Sequence, residues 1–101
     1  MSLELEFEEA CRDAIGECKT FGYNPTVWQG MINDLGAVEA AKRLLLNGDV
    51  QPGFDRLVTE GRSDLTIEEA VLNPRWTALF DERHREAARW RLEQGRGSDS
   101  A

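Results

Sequence analysis

The chain predicts an all-α fold, a compact array of about six to seven short helices in a single domain. Three observations carry that prediction. Helix-stop and helix-start signals recur as pairs: Gly22 before Asn24-Pro25, Asn47-Gly48 before Gln51-Pro52, Gly61 before Asp64-Leu65-Thr66, and Asn73 before Pro74. Glycine just past a helix end and proline at its first position are the asymmetry that helices favour. Between these signals apolar residues recur every three or four positions. No alternating run is bounded by hairpin turn pairs, so no strand is expected.

The first helix is expected over 3–20, with Ser2 as its N-cap. Phe7, Cys11, Ala14, Ile15 and Cys18 share one face, opposite Glu8, Glu9, Arg12, Asp13 and Glu17. Phe21-Gly22-Tyr23 ends it. Asn24 is expected to cap a second helix with Pro25 at its first position and Trp28, Met31, Ile32 and Leu35 inward. Gly36 breaks the chain before a third helix over 37–46. Its Ala40-Ala41 pair permits close approach of a neighbour. Asn47-Gly48 is read as its stop.

A fourth helix over 52–60 turns Phe54, Leu57 and Val58 inward. Thr66 and Glu69 have capping-box spacing and open a fifth helix over 67–72. Asn73-Pro74 starts a short segment with Trp76, Leu79 and Phe80. Asp81 caps a last helix over 82–94, ended by Gly95, and residues 95–101 read as a disordered tail beyond the 1–94 domain.

Composition narrows the function classes. The 101 residues leave room for one domain. The formal net charge of −7 opposes non-specific attraction to nucleic acid and to anionic membrane surfaces. Charge is uneven: residues 1–20 hold six acids and two bases, and residues 74–96 hold six arginines and four acids. An acidic first helix beside a basic last helix is the simplest reading. No apolar run approaches a membrane span, and the acidic start Met1-Ser2-Leu3-Glu4 lacks a signal peptide's basic opening. A cytoplasmic setting is expected. Cys11 and Cys18 stand about 10 Å apart along one helix, beyond disulfide reach, and read as reduced core thiols.

Residues 22–92, roughly 70% of the chain, resemble an uncharacterised bacterial helical domain, found alone or at the end of larger bacterial proteins. The likeness rests on Gly22-Tyr23 with Pro25-Thr26, on Gly36 with Val38 to Leu45, and on Gly53-Phe54. It continues through Gly61-Arg62, Asp64-Leu65-Thr66, Val71-Leu72 with Pro74, Leu79-Phe80, and Ala88-Arg89 with Arg91-Leu92. The resemblance implies a helical fold and no assigned activity, so it supplies no catalytic or binding residue.

The inventory for chemistry is thin. One histidine, His84, read as a surface residue, and two widely spaced cysteines do not make a zinc site. Ser63 sits in a turn, Glu17 adjoins Cys18, and no phosphate-cradling loop is present. No catalytic residue, metal or cofactor is therefore expected.

Residues suited to binding a partner are more numerous. Glu4, Glu8 and Glu9, with Glu6, Asp13 and Glu17, form an acidic face. Arg62 and Asp64 flank a turn. Arg85 and Arg89 share a face of the last helix, in reach of Glu82 and Glu86. Trp28 and Trp90 read as core, as cation–π partners, or as interface anchors. The leading expectation is a non-enzymatic helical interaction module that docks a partner protein or self-associates. One alternative is an acidic accessory or inhibitor of a nucleic-acid-processing or defence system. Another is a DNA-binding regulator using a helix-turn-helix-like pair near 52–72, which the net charge opposes.

Overall fold

The computed structural model describes residues 2–46 and 52–99. The helix stop expected at Asn47-Gly48 lies outside them. Among the described residues there are six α-helices, two 3₁₀ segments and no strand: α1 Leu3–Thr20, α2 Thr26–Leu35, α3 Ala37–Leu46, α4 Pro52–Thr59, α5 Ile67–Leu72 and α6 Glu82–Asp99, with 3₁₀ segments at Ser63–Leu65 and Pro74–Leu79.

Local chemistry explains most boundaries. The Ser2 hydroxyl accepts from the Leu5 N–H at 3.2 Å and starts α1. At its end the Tyr23 N–H donates to the Cys18 carbonyl at 3.1 Å and the Gly22 N–H to the Lys19 carbonyl at 3.2 Å. That is a Schellman motif, and Gly22 takes the left-handed backbone it requires, at φ 83°. α4 ends the same way: Arg62 N–H to the Leu57 carbonyl at 2.8 Å, Gly61 N–H to the Val58 carbonyl at 3.0 Å. The two motifs meet in space, because Cys18 and Leu57 pack with Leu65 in a small satellite core edged by Phe21 and Tyr23. Arg56 ties the ends together by donating to the Phe21 carbonyl at 3.3 Å.

Two expected boundaries differ. α2 begins at Thr26, with Pro25 as a cap residue that makes no side-chain bond. Asn24 contributes its carbonyl, which accepts from the Thr26 N–H at 2.8 Å, and not its side chain. α6 runs through Gly95 and Gly97 to Asp99, past the expected stop. Glycine costs a helix only about 1 kcal/mol each, so it stops one reliably only where the next residues close a C-cap motif.

The main core gathers Phe7, Ile15, Ile32, Ala40, Ala41, Val71, Trp76, Phe80 and Ala88. Phe7 is its hub, edge-to-face with Trp76 at 5.4 Å and Phe80 at 5.2 Å. α1 packs mainly on α3 and the 3₁₀ segments, and α6 on α5 and α3. The acidic first helix therefore does not find its counter-charge chiefly in the last one. Glu6 pairs with Arg75 at 3.2 Å, Glu8 with Arg12 at 3.5 Å, and Glu17 lies 3.8 Å from Arg62.

Candidate functional site

The α1 N-terminus, the α2–α3 junction and the Pro74–Leu79 segment enclose a shallow groove of about 470 Å³. Gly36 makes it possible. It ends α2 by donating to the Ile32 carbonyl at 2.9 Å and opens α3 by accepting from Ala40 at 3.0 Å. With φ 84° it turns the chain within one residue, which brings Leu35 and Val38 to the same wall. Leu5 and Leu35 stand in the groove at 56% and 37% exposure. Glu4, Glu8 and Glu39 rim it, against the single base Lys42. Glu39 also pairs with Arg43 at 3.3 Å. The combination is an apolar floor with an acidic rim.

The structure sorts the sequence-predicted residues. Glu4 and Glu8 come together at the groove; Glu9 is exposed outside it. Arg62 is held by Asp64 through two bonds, Nε to Oδ1 at 3.2 Å and Nη2 to Oδ2 at 3.3 Å, so the pair neutralises itself. That side-chain bond, with the Asp64 charge, raises the Arg62 pKa further.

Arg85 is engaged within the fold. It donates to the Phe80 carbonyl, to the Thr77 carbonyl at 3.3 Å and to Glu82 at 3.2 Å, closing the C-terminal end of the 3₁₀ helix. Arg89 bonds the other Glu82 oxygen, and the two arginines hold the Glu82 carboxyl below its usual range. Arg85 and Arg89 are thus both matched by Glu82 of the same helix. Trp28 is core at 7% exposure, whereas Trp90 is 56% exposed beside Leu72 and Glu93. The cation–π role falls to Trp76, which Arg75 covers at 4.5 Å.

Three buried polar side chains, His84, Arg91 and Glu68, were not expected from the sequence. His84 is buried, not a surface residue. The Asp81 carboxylate caps α6 by accepting from the His84 N–H at 3.2 Å, while His84 Nδ1 accepts from the Asp81 N–H at 3.3 Å. This is a capping box with histidine in the place of glutamate. Burial lowers the His84 pKa and outweighs the nearby Asp81 carboxylate. Arg91 and Glu68 form an ion pair inside the protein at 3.2 Å. A signal for His84 and Arg91 was present: with Ala88 and Leu92 inward, positions 84 and 91 fall on the same stripe of a 3.6-residue period.

Among the described residues no cluster of three or more His, Cys, Asp or Glu side chains is placed to hold a metal, and no helix is long and apolar enough to cross a membrane. Comparison with known proteins returned no match to a family model, a characterised sequence or a solved structure.

Proposed function

We propose that this chain is a non-enzymatic interaction module that docks a basic, amphipathic segment of a partner protein in the Glu4–Glu8 groove. The observation that carries the reading is Leu5, 56% exposed, sharing with Leu35 a groove lined by Glu4, Glu8 and Glu39 against one base, Lys42. An apolar anchor in a polar rim is the anatomy of a recognition surface. The rim's sign selects a cationic partner. A second copy of this chain, at net charge −7, is opposed by the same rim.

The DNA-binding reading has little support. α5 has six residues and buries Ile67, Glu68 and Val71, and the half-exposed positions that remain, Glu69, Ala70 and Leu72, offer no basic side chain to a groove. An acidic inhibitor that occupies a basic groove remains compatible with the Glu4–Glu8 rim and is the form a nucleic-acid-processing partner would take.

The test is capture from the native host with identification of what co-purifies, using wild type, Glu4→Gln/Glu8→Gln and Leu5→Glu. Capture of one basic partner should fall steeply with salt, because exposed charges are screened over about 8–10 Å at physiological ionic strength. Both variants should lose it while melting like wild type. Loss only with Trp90→Ala moves the interface to α6. Retention by both groove variants overturns the proposal.

A further inference from the structure

A second concavity, separate from the acidic groove, opens where α2, α3, α4 and the start of α5 converge. It measures about 230 Å³ and is walled by Trp28, Leu44, Phe54, Leu57, Leu65 and Ile67, with Val27 exposed at its edge. Two polar features distinguish it from a packing defect. Trp28 is buried, and its indole Nε1–H is a buried polar side-chain group with no hydrogen-bond partner. Such a donor is costly to bury unpaired, and native proteins seldom leave one so. The one carboxylate of the wall, Glu68, is already matched by Arg91 at 3.2 Å. One residue of the wall therefore carries an unmet donor, set behind the cavity surface, and the wall has no unmet charge.

We infer that this cavity binds a small, uncharged, mainly apolar molecule carrying a carbonyl or ether oxygen, which accepts from the Trp28 indole. A charged ligand would enter a low-dielectric space with no countercharge to spare. Size follows from volume: an apolar cavity of about 150 Å³ holds benzene, so this one takes about nine or ten non-hydrogen atoms. The indole nitrogen is closed off from solvent, so engaging it requires the ring to move. Binding is thus coupled to the indole environment, which supplies a direct readout.

The test titrates acetophenone and isopropylbenzene, equal in number of non-hydrogen atoms but differing in the acceptor, into the ¹⁵N-labelled full chain. Acetophenone should saturate, move the Trp28 indole N–H signal downfield, and bind about fivefold tighter than isopropylbenzene, the ratio one neutral hydrogen bond supplies. Trp28→Phe assigns the signal and should erase the preference between the two ligands. The unmodified protein carries the test alone if that variant does not fold. Equal affinities with an unmoved indole signal make the cavity a plain apolar hole and overturn the inference. So does the absence of saturable binding by either probe. Binding of N-acetyl-tryptophanamide in place of acetophenone would assign the cavity to a partner's side chain and overturn it as well.

Discussion

Arg91 Nη1 lies 3.2 Å from Glu68 Oε2, and each side chain is only 4% exposed. The pair joins α5 to α6 across 23 positions of sequence, and α5 on α6 is the most extensive helix pairing in the fold. Removing Arg91 leaves the Glu68 carboxylate in the interior without this cation. Arg91→Met alone should cost about 3–5 kcal/mol in urea unfolding, and Glu68→Leu less. The double variant should recover most of that loss. A double variant as unstable as either single would show that the two groups do not act as a pair.

The three tryptophans should separate cleanly. Trp90→Ala should change stability by less than about 0.5 kcal/mol, since it removes exposed surface. Trp28→Ala and Trp76→Ala should each cost about 3–5 kcal/mol, as large core truncations do. Acrylamide should quench one indole strongly and two weakly in the folded protein.

Two glycine substitutions should have opposite signs. Gly16 lies in α1 with no atom near the place a Cβ would occupy, so Gly16→Ala should stabilise by about 0.5–1 kcal/mol. Gly36 has φ 84° and ψ 158°, a region essentially reserved for glycine, and Gly36→Ala should destabilise by about 1–3 kcal/mol. Thermal melts of the two variants against wild type decide this, and a stabilised Gly36→Ala would mean the α2–α3 turn is misplaced.

Stability should fall as the solution is acidified from pH 7 to 5. Burial lowers the folded His84 pKa below its ordinary 6.5, so the unfolded chain takes up the proton first and acid favours unfolding. The folded Asp81 pKa is also lowered, chiefly by the His84 backbone N–H it accepts. It adds a loss of the same sign below pH 3.8, its ordinary value. In His84→Gln the slope between pH 7 and 5 should flatten. An unchanged slope would assign the effect elsewhere.

The thiols should be inert until the protein opens. Burial, helped by the Glu8 carboxylate, pushes Cys11 up to about 12, and burial raises Cys18 as well. Thiolate is the reactive form, so labelling by a disulfide reagent at pH 8 should follow global unfolding. Because the folded thiols hold their protons longer than unfolded ones, stability should also decline above pH 9.0, the ordinary thiol value. Rapid labelling of either cysteine in the native protein would contradict the packing of α1.

Most of the helix architecture was legible in the residues themselves, because most of the described boundaries are closed by partners a few positions apart. Ser2 reaches Leu5, Thr66 reaches the Glu69 N–H at 3.1 Å, Asn73 reaches the Arg75 N–H at 3.0 Å, and Gly22 and Gly61 complete their own Schellman turns. The acidic character of α1 was equally plain, though not which acids would meet a groove. Tertiary structure alone decided what water reaches. It buried Glu68 and Arg91 against each other, drew His84 inside, exposed Trp90 while enclosing Trp28, and set Leu5 beside Leu35. The physical reason is range: a cap is a bond between near neighbours in sequence, whereas desolvation depends on helices that distant segments bring over a side chain.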